Sequence, residues 1–257
     1  MKFHFANIML ILILTISFPL ASQEVLRSSY YSQNVEPQLF FDNRGRPISG
    51  ILFDISNEIA KKLDMKLEMI PIPRKRIEQS LVKGIMDMHC VANPQWYQSK
   101  HLQWSSTLYK NPDILINNKG ITSLAELANY KNLKVGTSLG YIYPELLTYI
   151  DNKNILPVTS LSPGDSYKKY RKNKVSGFII PEIEASPFVK EITDSVVLLN
   201  DNEISCVLAP SMKKSRVNSI SNAIDQLKAS GEIDAILSKY NINNQKLANQ
   251  HYEILAD

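Results

Sequence analysis

Arginine is the side chain best suited to gripping a carboxylate or a phosphate, because its planar guanidinium offers two parallel N–H groups. Two arginines, Arg74 and Arg76, stand in the proline-bounded loop 71–76 (PIPRKR). One of the pair is read as the solvated start of a helix, and the other as a candidate for an anionic ligand group. Tyr30, Tyr31 and Trp96 offer flat rings on which a solute could stack, with the tyrosine hydroxyls fixing its polar rim. Their alternative role is packing at strand ends. Trp96, with Gln95 beside it, lies in the loop 92–96 (ANPQW) after an apolar run, where a large aromatic is either a ligand platform or a cap on the core. Gly140, Tyr141 and Ile142 read as the head of a helix whose free N–H groups suit an anion, although an ordinary strand–helix turn has the same wording. Glu182 and Glu184 could form an acid–base pair, but two residues apart on a helix they do not face one direction. No Ser-His-Asp set and no Gly-rich phosphate loop occurs, so no catalytic residue is assigned. The four histidines, at 4, 89, 101 and 251, lack ligand spacing, and neither a metal nor a cofactor is expected.

The elements that must hold these groups are legible from periodicity. Within 50–87, Asp54 can cap a helix whose apolar stripe is Ile55, Ile59 and Leu63. Leu67 and Met69 alternate with Lys66 and Glu68 as in a strand. Ile77 and Leu81 mark a short helix that stops at Gly84, where glycine accepts a left-handed backbone cheaply. Residues 85–91, apolar apart from Asp87 and His89, read as a largely buried parallel strand. Residues 104–117 run extended, and Ser123 with Glu126 forms a capping box. A second α/β unit follows: a strand at 133–136, a helix with Pro144 in its first turn, a strand at 158–161, a turn at 162–164, a helix over 166–171 and a strand over 175–180. A strand at 203–209 leads to a helix striped by Val217, Ile220, Ile224 and Leu227 and ended by Gly231. A last helix carries Ile233, Ile236, Leu237 and Tyr240. No internal repeat occurs.

The wording of these segments resembles the family 3 periplasmic solute-binding proteins, the amino-acid-binding type of bacterial transport receptor. The resemblance rests on Gly50, Asp54, Ile59, Ala60, Lys62 and Leu63, then Leu81, Gly84 and Asp87, and on the aromatic-Ser-x-x-x-Tyr pattern from Trp104 to Tyr109. It continues through 124–136 and the terminal helix pair 227–240, and so spans nearly the whole mature chain. It implies a two-lobed α/β periplasmic-binding-protein-like fold of the second type, with two crossing strands as hinge. Lobe one would take 23–113 and 201–257, and lobe two 114–200. The ligand would sit in the cleft, outside the carboxyl ends of the strands, against Tyr30, Tyr31, Arg76, Gln95, Trp96, Gly140 and Tyr141. Arg76 is preferred over Arg74 because a Pro-x-x-Arg placement at this loop occurs in shorter relatives. Two departures weaken the family's amino-acid clamp. The stretch 93–100 lacks the arginine that holds an α-carboxylate and offers only Lys100, a point charge. Pro181, with Glu182 next to it, stands near the position of the aspartate that holds an α-ammonium, and Ser176 replaces the strand-opening aspartate. A small polar or anionic ligand is expected instead of an ordinary α-amino acid.

The 257 residues carry a formal net charge of +4, with Lys and Arg scattered, so no nucleic-acid footprint is read. Residues 1–22 read as a cleaved signal peptide: Lys2, an apolar core at 8–14 and small residues after Leu20. The apolar run is short for a membrane span of about 20 residues, so a soluble periplasmic monomer is expected. Cys90 and Cys206 are the only cysteines. Export makes a disulfide chemically possible and the resemblance puts both on lobe-one strands, but bridge geometry is demanding, and two separate core residues is the favoured reading. The leading function is a binding receptor serving an ABC importer's membrane subunits or a membrane sensor. The alternatives are a dehydratase-like enzyme on the same scaffold and a relative that has lost its ligand, its cleft filled by its own side chains.

Overall fold

The computed structural model describes residues 23–31, 36–186 and 194–242. The expected signal peptide and two of the histidines, His4 and His251, lie outside them. The chain opens with β1 (Val25–Tyr30), a small hairpin of β2 (Phe40–Phe41) and β3 (Pro47–Ser49), α1 (Ile51–Lys62), β4 (Lys66–Pro71), α2 (Ile77–Val82), β5 (Met88–Ala92) and β6 (Gln103–Lys110). It crosses into β7 (Asp113–Asn117), β8 (Leu133–Ser138), α3 (Leu147–Asp151), β9 (Ile155–Ser160), α4 (Pro163–Arg171), β10 (Gly177–Pro181), α5 (Glu182–Ala185) and β11 (Ser195–Leu198). It returns through β12 (Glu203–Leu208) to α6 (Lys214–Ala229) and α7 (Glu232–Lys239). One five-stranded sheet has the order β4-β1-β5-β12-β6 and the other β11-β7-β10-β8-β9. The molecule is therefore a two-lobed α/β fold, with β12 from the far end of the chain inserted between β5 and β6.

In lobe one, α1 buries Ile51, Leu52, Ile55, Ile59 and Ala60 against the sheet. Its N-cap is Gly50 and not Asp54. Gly50 has φ 118°, and a Cβ there would stand 2.5 Å from the Gln38 carbonyl oxygen, so the chain makes this close turn only without a side chain. Asp54, one turn in, accepts hydrogen bonds from Tyr240 Oη (2.8 Å) and Lys239 Nζ (2.7 Å). Tyr240 Oη in turn accepts the Gly50 N–H at 2.7 Å, which ties the last helix to the first.

β5 starts at Met88, later than the apolar run suggests, because Asp87 is occupied. Its carboxylate takes the Arg27 backbone N–H (2.8 Å) and the guanidinium (3.1 and 2.8 Å). β5 is parallel to β1 but antiparallel to β12. That second pairing brings Cys90 and Cys206 together across adjacent strands as a disulfide, 116 residues apart in sequence. The expectation of two separate core cysteines is corrected: the neighbouring strands already supply the proximity that a bridge needs.

The two crossings are laced together. Asn111 donates its N–H to the Asn202 carbonyl (2.9 Å), and its Oδ1 accepts the Ile183 N–H (3.0 Å). The Asp113 carboxylate accepts from Asn200 Nδ2 (3.1 Å) and Asn202 Nδ2 (3.0 Å). At the expected capping box, Glu126 accepts from the Thr122 N–H and from the Thr122 and Ser123 hydroxyls, so Ser123 donates to the carboxylate where it was expected to cap a backbone N–H. The element that follows is a 3-10 turn, Ala125–Asn129.

Candidate functional site

Four loops converge between the lobes, each following the carboxyl end of a strand: Tyr31 after β1, Arg74 after β4, Trp96 after β5 and Tyr141 after β8. Arg74 stands at their centre. Pro73 holds an extended backbone and opens the 3-10 turn Arg74–Arg76, which turns the Arg74 side chain inward and leaves Lys75 and Arg76 exposed. The Arg74 Nη1 donates to Tyr31 Oη at 2.8 Å and its Nε donates to the Gly140 carbonyl at 3.3 Å. Its Cζ lies 3.4 Å from the centroid of the Tyr141 ring, 5.4 Å from that of Tyr31 and 5.5 Å from that of Trp96. These are cation–π distances, around a half-buried guanidinium. Tyr31 and Tyr141 also approach each other across the lobes, hydroxyl to hydroxyl, at 3.4 Å.

The expected ligand residues separate into two groups. Tyr31, Trp96, Gly140 and Tyr141 come together around Arg74. Trp96 also packs on the lobe-one core, as its core-capping reading expects. Tyr30 is buried in that core against Phe41 (5.8 Å between centroids), so it is a packing residue, because successive strand residues face opposite sides. Gln95 is exposed, and its backbone N–H donates to Asn93 Oδ1 at 2.9 Å. Arg76 is exposed on the outer rim, and Arg74 holds the interior position foreseen for it. Gly140 does not head a helix. It makes a left-handed turn (φ 82°), the Tyr141 N–H bonds back to the Ser138 carbonyl at 3.2 Å, and a 3-10 turn begins only at Pro144. The contribution of Gly140 is a carbonyl acceptor and a close approach: a Cβ there would stand 3.4 Å from Lys75 Cγ and 3.5 Å from Arg74 Cδ.

Three carboxyl groups lie near the hinge. Burial pushes Glu184 up to about 8, with the field of Arg74 opposing and that of Asp113 adding. Among the described residues Glu184 makes no hydrogen bond or ion pair. Burial also lifts Asp113 to about 6, against the Asn200 hydrogen bond that favours its ionised form, and Glu182 to about 7. Glu182 and Glu184 face different spaces, as their spacing foretold: Glu182 lines a hinge-side cavity with Tyr109, Pro112 and Ile233, whereas Glu184 shares the interior of Arg74. Burial drives His89 down to about 4, so it is a neutral core imidazole bonded to Ser29 Oγ at 3.0 Å. No cluster of potential metal ligands occurs among the described residues, and no helix among them is long and apolar enough to cross a membrane.

Arg74 divides the space between the lobes. On one side is a cavity of about 120 Å³ lined by Glu78, His89, Trp96, Tyr97 and Ile142. On the other is a recess of about 380 Å³ bounded by Tyr31, Arg76, Leu139, Tyr141 and Leu161. Sequence reasoning passed over Arg74 as the interior cation, although the pair 74/76 had been singled out. It also missed Tyr97 and Asp113, and it marked Glu184 only as one of the acid pair with Glu182.

Comparison with known proteins agrees with this architecture. The chain is similar in fold to an ancestral amino acid-binding protein described as a precursor of cyclohexadienyl dehydratase (19% identity, 84% of this chain and 95% of the other, TM-score 0.70). It is also similar to an ancestral arginine-binding protein bound to arginine (19%, 85% and 98%, TM-score 0.70). A third is an amino acid ABC transporter substrate-binding protein from Streptococcus pneumoniae bound to L-arginine (19%, 84% and 94%, TM-score 0.68). No curated protein matches in sequence. A sequence-family model described as bacterial extracellular solute-binding proteins, family 3, matches residues 30–243. With that match over most of its length, and with two sheets meeting at a cleft built from strand-end loops, the chain belongs to the family 3 bacterial extracellular solute-binding proteins.

Proposed function

We propose that the protein is an exported, monomeric receptor, not an enzyme, which takes a small solute bearing a carboxylate or comparable anionic group between its lobes and presents it to an importer's membrane subunits or a membrane sensor. In this reading residues 23–113 and 201–257 form one lobe, residues 114–200 the other, and closure about the crossings hides the solute. The observation that carries the reading is Arg74. It is a cation enclosed by rings from both lobes, with one guanidinium nitrogen, Nη2, left without a protein acceptor among the described residues. Its charge is not answered by Glu184, which burial keeps protonated at neutral pH. A half-buried guanidinium with spare donors attracts an anion in a fixed orientation. The test is a thermal-shift screen of refolded mature protein against dicarboxylates, sugar acids, amino acids, polyamines and short peptides. A ligand at a hundred times its dissociation constant adds about 2.7 kcal/mol of stability. The expected result is a hit among the anions that Arg74→Ala weakens by about 100-fold, consistent with loss of a charge-assisted pair. A flat response across the panel would favour a relative that has lost its ligand.

One observation favours a catalytic reading. A carboxyl held near 8 beside an enclosed cation is what a general acid requires. Incubation with any solute that binds, followed by mass analysis of the recovered solute, separates the two: a receptor returns it unchanged.

A further inference from the structure

The cleft contains the elements of a cation site, and the chain's own side chain fills it. Tyr31 and Trp96 from lobe one and Tyr141 from lobe two surround one guanidinium, the nearest ring at 3.4 Å from Cζ. Tyr97 lies beside the same interior, and Asp113 and Glu184 are the acids on which the field of Arg74 acts. Such an arrangement of ring faces and acids, emptied of Arg74, would select a free guanidinium or ammonium group. Filled by Arg74, it repels a second cation and directs the spare guanidinium donor at an anion. We propose that Arg74 is a tethered occupant of a cation cage and the residue that sets ligand class: with it the cleft reads anions, and without it the cleft reads guanidinium. This rests on the cleft being the ligand site, and it goes further by naming the residue that reverses its charge preference.

The same contact has a mechanical side. Arg74 and Lys75 of lobe one lie against Gly140 of lobe two, where a Cβ would be in ordinary contact with both side chains, and the Arg74 Nε–H bonds the Gly140 carbonyl. The guanidinium therefore bridges the lobes as a bound cation would, so that its removal releases an inter-lobe contact as well as a charge.

The experiment titrates wild type and Arg74→Ala with methylguanidinium and, separately, with acetate, following intrinsic fluorescence and melting temperature. Arg74→Ala is expected to bind methylguanidinium at least 10-fold tighter than wild type does, to show no gain for acetate, and to lose the new affinity when Tyr141→Ala is added. Equal responses of wild type and Arg74→Ala, or a gain indifferent to Tyr141→Ala, would overturn the proposal. Should Arg74→Ala not fold, the wild type decides through its arginine side-chain NMR signals. A guanidinium on the Tyr141 face is displaced upfield by the ring current and returns to the ordinary range in Tyr141→Leu; an undisplaced signal in wild type overturns the proposal as well. Failure of the receptor reading is distinguishable. If wild type takes no anion while Arg74→Ala gains methylguanidinium, the cage stands and the receptor reading falls. If wild type takes an anion and Arg74→Ala gains nothing, the reverse holds.

Discussion

Glu184 shows how one side chain's surroundings become a property of the protein. Its carboxyl is enclosed without a hydrogen-bond donor among the described residues, so the charged form is disfavoured and its pKa rises to about 8 from the ordinary 4.5. Between those values an unfolded Glu184 is ionised while the folded one holds its proton, so the folded state binds more protons and stability falls as pH rises across that window. Each unit of pKa difference is worth about 1.4 kcal/mol. Glu184→Gln is expected to flatten that fall, gaining on the order of 2 kcal/mol at pH 8.5 and little at about pH 3, where both states are neutral. Urea melts at the two pH values check it; parallel profiles for variant and wild type would show that Glu184 ionises freely. Little of this was readable beforehand. The sequence marks Glu182 and Glu184 as acids on a helix, but which of them lies in the field of Arg74 depends on the rotation of α5 about its own axis, where Ile183 between them donates its N–H to Asn111 Oδ1. Arg74 and Arg76 pose the same problem. Two arginines two residues apart are equivalent in composition, and only the turn after Pro73 decides which enters the cleft.

At the scale of elements, a glycine and a disulfide give the sharpest tests. Gly50→Ala places a Cβ within 2.5 Å of backbone and asks an L-residue to hold φ 118°. It is expected to cost on the order of 2–4 kcal/mol and to shift the α1 start, read by denaturant melts and by loss of the Gly50 N–H bond to Tyr240 in hydrogen exchange. A loss under 0.5 kcal/mol would mean that the chain relaxes there at no cost. Opening the Cys90–Cys206 bridge as the double serine variant releases a loop with a sequence separation of 116. A loss of about 3–5 kcal/mol is expected, and reduction of wild type by dithiothreitol should reproduce it. Periodicity located nearly all of the long elements, because burial on one helix face or in a sheet leaves its mark in apolar spacing. It misjudged starts and ends: the N-cap of α1 is Gly50, four residues before Asp54, and Gly140 turns left-handed instead of opening a helix.

For the whole molecule, the hinge is the controlling feature. Asn111 serves both crossings, donating to the Asn202 carbonyl and accepting from Ile183. Asn111→Ala leaves the Ile183 N–H without its acceptor, at an expected cost on the order of 1–2 kcal/mol. It is also expected to widen the range of lobe openings, seen as a larger radius of gyration in solution scattering without ligand; an unchanged radius would place control of closure elsewhere. The sequence by itself determined the α/β character and the order of the long elements, because these follow from local apolar spacing and short-range turn chemistry, while the two-lobed architecture came only from what the family resemblance implies. Only the tertiary structure decided the disulfide, the choice of Arg74 over Arg76, and the enclosure of that cation by rings from both lobes. Each of these depends on bringing together residues tens of positions apart, where the register of β5 on β12 and the meeting of four strand-end loops set distances that no local pattern encodes.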